Sequence, residues 1–312
     1  MSQEEQATRL GAASDLLVPS APGSVQAAPA LSRRRRFLRR FLQERPALVG
    51  VAFLGLVAVT SLLAPWIAPA DPAEQDLLAV LQSPGWGDHL LGTDHLGRDV
   101  LSRLMYSGRI SLLAALEAVL VGVVLALPPG LVAGYVGGWV DGLIMRVADA
   151  LMSFPPLLLA IAIVAVLGPG ITKAMFAVGV IFAPRLARLV RATVLDVREE
   201  TFIEASRSIG VSTPRILRRH VLPNVMPALL VQLSLLAGIA MLLEAGLSFL
   251  GLGVQPPDAS WGTMLGEAFL VINETPWLSI FPGVAVALSV LAFNVVGDGL
   301  RDSIGRELRR AR

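Results

Sequence analysis

The side chains able to do chemistry are few and unevenly placed. The 312-residue chain has no cysteine, which excludes disulfides, thiolate metal sites and cysteine nucleophiles. His89 and His95 share a stretch with Asp94 and Asp99, and imidazole with carboxylate is a ligand set suited to a divalent metal. Polar side chains also crowd into loops without any ion, and no metal site is assigned here. A hydrolase would need a nucleophile beside its base, yet His220 is the only histidine outside that stretch. Among the 26 basic residues Lys173 is the one lysine, and it follows Thr172. A phosphate-binding P-loop requires Gly-Lys, so the chain carries no nucleotide site of that kind. Glu117 and Glu244 sit in strongly apolar surroundings, where a carboxylate is costly. A pore-facing position or a satisfied polar contact explains each of them better than proton transfer does.

The elements that hold these residues are those of a membrane protein. Hydrophobic residues make up 54% of the chain, charged residues only 16%, and the mean hydropathy is +0.67. So few charges cannot coat the cores that a soluble chain of this length would need, whereas lipid accepts apolar surface that water rejects. Six segments, approximately 47–69, 108–134, 143–167, 172–194, 226–250 and 277–300, are long and apolar enough to cross a bilayer. A hydrocarbon core of about 30 Å takes roughly 20 helical residues. The expected fold is all-α and integral to the membrane, with six transmembrane helices. The Pro128-Pro129 pair should kink the second span or mark its end.

Arginine placement orients the spans. The segment before the first span carries Arg33 to Arg36, Arg39, Arg40 and Arg45, which puts it in the cytoplasm. The loop over 70–107 is acidic, with Asp71, Glu74, Asp76, Asp88, Asp94 and Asp99 against Arg98 and Arg103, and belongs outside. The loop over 195–225 holds Arg198, Arg207, Arg215, Arg218 and Arg219 and belongs inside, while 251–276 has acids and no basic residue. Both termini are then cytoplasmic. Residues 1–31 read as a disordered tail, and the apolar pairs in Arg33 to Leu42 suit an interfacial helix whose arginines face lipid headgroups. A nucleic-acid role for this basic run, or a twin-arginine export signal at Arg34-Arg35, fits less well. The apolar segment from Ala47 is too long for an export signal's core and further spans follow it.

Between spans four and five runs Glu199-Glu200-Thr201-Phe202-Ile203-Glu204-Ala205-Ser206-Arg207-Ser208-Ile209-Gly210. As a helix it gathers Phe202, Ala205, Ser206 and Ile209 on one face with Glu204 opposite, and Gly210 suits the residue that stops it. A second short helix should follow, capped by Thr213, with Pro214 in its first position and Pro223 after its end. Gly122, Ala126, Gly130 and Gly134 recur every four residues in span two, a small-residue ridge read as intramolecular packing in preference to a dimer seam. Asn294 and Asp298 should anchor helix ends near the inner end of span six.

The 199–223 stretch resembles the coupling loop of ABC importer permeases, whose pattern is E-A-A, three residues, Gly, nine residues, Ile, one residue, Leu-Pro. Glu204, Ala205, Gly210, Leu222 and Pro223 match in register, while Ser206 replaces the second alanine and His220 stands at the isoleucine position. Leu91-Gly92-Thr93-Asp94-His95-Leu96-Gly97-Arg98-Asp99-Val100, Gly137-Gly138-Trp139-Val140-Asp141 and Phe249-Leu250-Gly251-Leu252-Gly253-Val254-Gln255-Pro256-Pro257 narrow the resemblance. So do Ala292-Phe293-Asn294 and Gly297-Asp298-Gly299-Leu300-Arg301-Asp302. They point to the dipeptide, oligopeptide and nickel importer permeases with a long first outer loop, and the likeness covers about residues 45 to 305.

The resemblance implies a type I importer permease fold. Its parts would be a cytoplasmic tail with a basic juxtamembrane helix (1–45), a first span with its periplasmic loop (46–107), a core permease domain with the coupling loop at about 199–223 (108–305), and a short tail (306–312). The implied function is translocation of short peptides across the bacterial cytoplasmic (inner) membrane by a subunit that is not itself an enzyme. Implied partners are a second related permease, two cytoplasmic ATP-binding subunits that carry ATP and Mg, an extracytoplasmic substrate-binding protein and membrane lipid, with no nucleic acid. No cofactor is expected in this chain. Glu204, Ala205, Ser206, Gly210, Leu222 and Pro223 would contact or shape the ATPase docking site. Nickel or another small solute is the alternative cargo. An ion-coupled carrier or membrane enzyme is the remote alternative, for which Glu117 alone gives thin support.

Overall fold

Lipid offers no hydrogen bonds, so an apolar segment must close its backbone on itself, and helices do this. A computed structural model describes residues 39–85 and 89–308. The expected tail over 1–31, the basic run from Arg33 to Leu38, Asp88 and the residues 309–312 lie outside that range. Among the described residues the elements are helical: α1 (Arg45–Ile67), α2 (Val100–Val136), α3 (Gly138–Met152), α4 (Pro156–Leu167), α5 (Ile171–Arg198), α6 (Thr201–Ser208), α7 (Thr213–Ile216), α8 (Leu222–Phe249), α9 (Trp261–Leu270) and α10 (Trp277–Leu308).

Among the described residues four helical stretches are long and apolar enough to cross a membrane: α1, α2, the continuous run Thr213–Phe249, and Trp277–Ile304 within α10. The count of six read from the sequence is thus approximate. The expected third span, 143–167, is two helices meeting at 93°, and makes a fifth span only if that bent pair is taken as one. Its break falls at Pro155-Pro156, where each proline biases the residue before it away from helical geometry. The expected fourth span lies in α5, but Lys173, Arg185, Arg188 and Arg191 spread charge along it. Two of those arginines pair with α3, Arg188 with Asp149 and Arg191 with Asp141.

Two local expectations shift. Helix α2 runs through Pro128-Pro129 to Val136, so the pair does not end the span; contact with α5 along its length outweighs a proline penalty of about 3 kcal/mol. No separate second helix ends before Pro223. Instead α7 passes through a π turn, Leu217–Val221, directly into α8. The Leu222 N–H reaches back to the Leu217 carbonyl, widening the helix by one residue just where Pro223 has no N–H to give. Ser212, not Thr213, stands at the N-cap, with no side-chain cap bond, and proline occupies the first turn.

The tightest seam joins α2 to α5. Gly122, Ala126, Gly130 and Gly134 are all buried on α2. A Cβ at Gly130 would lie 2.8 Å from both the Ala187 carbonyl oxygen and Val190 Cβ, and one at Gly134 would lie 2.7 Å from Val194 Cβ. Gly179 answers from α5, where a Cβ would sit 2.4 Å from Val121 Cγ1. In lipid such close approach supplies the dispersion contacts that hold helices together.

At the N-terminal end of α2 a polar lock forms. Asp99 caps the helix, its Oδ2 accepting from the Ser102 N–H at 2.7 Å, and His89 Nδ1 lies 3.0 Å from Asp99 Oδ1. Arg98 reaches Asp94 at 2.7 Å and Glu267 at 2.8 Å, and Arg103 reaches the same two carboxylates at 3.2 and 2.8 Å. Two arginines and two acids thereby tie α2 to α9. Burial pushes the Glu267 carboxyl above its ordinary pKa, and the Arg98 charge opposes that rise.

Two outcomes follow. Gly130→Leu must displace backbone on α5 and should lower stability by about 2 kcal/mol, read as an earlier thermal midpoint of the purified protein in detergent. Glu267→Ala leaves Arg98 and Arg103 to share Asp94, and because Glu267 is only partly buried the loss should again be about 2 kcal/mol in the same assay, below that for a fully buried pair.

Candidate functional site

Helix α6 is eight residues long and has two working faces. Ile203 is its anchor, 0% exposed among the core side chains. On the opposite face Phe202 is 42% exposed, Ile209 is 80% exposed, and Ala205 is open to solvent. Glu204 and Gly210 are also exposed, and the half-buried Ser206 turns its hydroxyl back to the Phe202 carbonyl at 2.7 Å.

The helix stops at Gly210, whose φ of +75° is a left-handed conformation that side chains resist. The Gly210 N–H donates to the Arg207 carbonyl at 2.9 Å and the Val211 N–H to the Ser206 carbonyl at 3.1 Å, the paired bonds of a Schellman stop. The chain then turns so that the Phe202 ring lies 6.0 Å from that of His220 in the π turn. Leu222 is half-buried and Pro223 exposed at the start of α8. An apolar face thus stays open on a rooted, sharply terminated helix.

The intramembrane acids differ. Glu244 on α8 is 0% exposed, and its carboxyl accepts from Ser111 on α2 at 3.2 Å and from Ser248 at 2.7 Å. Each hydroxyl in turn accepts a backbone N–H, Ser111 from Trp261 and Ser248 from Val254, both at 3.3 Å. Glu244 therefore sits at the junction of α2, α8 and the start of α9, satisfied from within the chain. Glu117 is half-buried on α2, six residues beyond Ser111 on the same helix.

Of the suspected metal ligands, His89 and Asp99 pair with each other, while Asp94 and His95 meet Glu267, which the sequence did not nominate. Ligand atoms of Asp94, His95 and Glu267 lie within 4.8 Å of one another. Both carboxylates already accept from Arg98 and Arg103, so a cation there would meet two guanidinium charges. The arrangement is an ion-pair lock. Glu267 was invisible from spacing because it stands 164 residues from Arg103; no local pattern links them. Ile203 could have been found as the one apolar residue of the helix off the open face.

Comparison with known proteins bears on the chain as a whole. Residues 118–310 match the family described as binding-protein-dependent transport system inner membrane component, and residues 32–84 match the N-terminal transmembrane domain of oligopeptide transport permease C. The chain is 42% identical over 297 residues to the di/tripeptide transport system permease protein DppC of Pseudomonas aeruginosa (strain UCBPP-PA14), covering 94% of this chain and 98% of that one. It is 44% identical over 273 residues to the glutathione transport system permease protein GsiD of Shigella flexneri serotype 5b (strain 8401), covering 88% and 90%. Among solved structures, the inward-facing MetNI methionine ABC transporter shares the fold with a TM-score of 0.53 at 20% identity, covering 64% of this chain and 96% of that one. The chain therefore belongs to the binding-protein-dependent transport inner membrane component family, as a permease subunit of an ABC importer.

Proposed function

We propose that this subunit lines half of a conduit for short peptides across the bacterial inner membrane, with both termini in the cytoplasm. Two partner subunits hydrolyse ATP with Mg, a second related permease completes the conduit, and an extracytoplasmic binding protein delivers the cargo at the end carrying the 70–99 loop. The observation that carries this reading is α6. Ile203 roots it in the bundle while Phe202, Ala205 and Ile209 stay open, the two-sided form a ball needs in order to move a socketed domain's displacement into α5 and α8. Peptides are the cargo favoured by the relatives named for di/tripeptide and glutathione transport.

The test exploits the left-handed stop. Space around a Cβ at Gly210 is open, so a substitution there acts through the backbone and not through a clash. Gly210→Val should drop substrate-stimulated ATP hydrolysis of the assembled importer to its basal rate with membrane insertion intact, because a β-branched residue resists this conformation. Gly210→Asn, which tolerates it, should keep most of the stimulation. Stimulation that survives in Gly210→Val would count against α6 as the coupling element. Uptake of labelled di- and tripeptides by cells with and without the chain, set against uptake of nickel ions, decides the cargo: loss of nickel uptake alone overturns the peptide assignment.

A further inference from the structure

Tyr135 stands at the C-terminal end of α2, and two arginines from later elements close on it. Arg198, the last residue of α5, donates from Nη1 to the Tyr135 carbonyl at 3.1 Å and lies 3.5 Å from the Gly134 carbonyl. These are terminal carbonyls that a helix leaves without internal donors, at the negative end of its dipole. Arg207 of α6 places its guanidinium carbon 4.9 Å from the centre of the Tyr135 ring, with Nε 3.3 Å from the phenolic oxygen. The two residues are 72 positions apart, so chain connectivity does not produce this contact.

Arg207 lies one helical turn beyond Ile203, which puts both on the side of α6 turned away from Phe202 and Ile209. One side of the helix can thus be covered by a partner while the other keeps its grip on Tyr135. The far end of α2 is held by stronger contacts. Arg103 fastens it to Asp94 and Glu267, and Ser111 fastens it to Glu244. Between these fastenings lies most of a 37-residue helix, roughly 55 Å long at 1.5 Å per residue. A helix gripped near both ends, and seamed to α5 between them, moves as a rod.

We infer that Tyr135 is a positioning residue for transport: through its ring contact with Arg207 it passes the displacement of α6 into α2. This route runs beside the covalent connections of α6 to α5 and α8, and carries movement to the Arg98, Arg103, Asp94 and Glu267 lock at the other end of the bundle. The inference rests on the coupling role proposed for α6.

The experiment uses the complete importer in proteoliposomes, with a mixture of labelled di- and tripeptides as cargo, and reads peptide taken up per ATP hydrolysed. Tyr135→Ala should lower that ratio about fivefold, with basal hydrolysis and recovery of the assembled complex unchanged. Tyr135→Phe, which keeps the ring face, should restore it. Arg207→Gln, a surface change that alters no residue of α2, should lower the ratio comparably, and adding it to Tyr135→Ala should lower it no further. An unchanged ratio in either Tyr135→Ala or Arg207→Gln overturns the inference, as does an equal loss in Tyr135→Phe. Should Tyr135→Ala fail to assemble, Arg207→Gln alone decides. If Gly210→Val abolishes stimulation while these variants keep the ratio, only the α2 route falls; if Gly210→Val also keeps stimulation, the fault lies with the coupling role itself.

Discussion

Backbone against backbone along the α2 and α5 seam is the contact on which the remaining architecture depends. Water does not drive helices together in lipid, so proximity itself must supply the attraction, and proximity requires residues without side chains in the way. Gly122, Gly130 and Gly134 on one helix and Gly179 on the other provide it, each with partner atoms where a Cβ would stand. Once α2 is fixed to α5, the charged side of α5 can turn to α3, whose Asp141 and Asp149 meet Arg191 and Arg188. The same seam brings the end of α5, and hence α6, beneath the end of α2.

Polar groups are concentrated at the two ends of that pair. At one end four charged side chains neutralise each other, and the serine-lined pocket of Glu244 satisfies a carboxyl that would otherwise be stranded. Trp261 adds to this junction by donating from its indole N–H to the Leu104 carbonyl at 3.0 Å. At the other end arginines meet carbonyls and an aromatic face in place of carboxylates. The first arrangement resists opening, because separation leaves buried charge unpaired. The second is partly exposed and weaker, which suits a joint expected to move.

Local features were the legible ones. The Gly210 stop, the ridge on α2 and the E-A-A triplet are each set by residues close together in the chain, and short-range geometry governs each. The bent junction of α3 and α4 was marked by Pro155-Pro156, yet a continuous apolar reading over 143–167 concealed it. In sequence Pro223 reads as a terminator, whereas the backbone changes its hydrogen-bond spacing into a π turn there and continues. His89, Asp94, His95 and Asp99 are legible as a polar cluster, but Glu267 arrives from α9 and pairs with Arg98 and Arg103, which also reach Asp94.

Apolar runs, proline and glycine positions and the coupling-loop register were enough for the sequence by itself to determine a helical membrane permease, since hydropathy and backbone sterics act over a few residues at a time. Tertiary structure alone decided which side of α6 is rooted and which is open, that Glu244 is answered by Ser111 and Ser248, and that Arg207 reaches Tyr135. Those outcomes depend on the distance between segments tens to more than a hundred residues apart, and that distance is set by how closely the helices pack, which no single segment encodes.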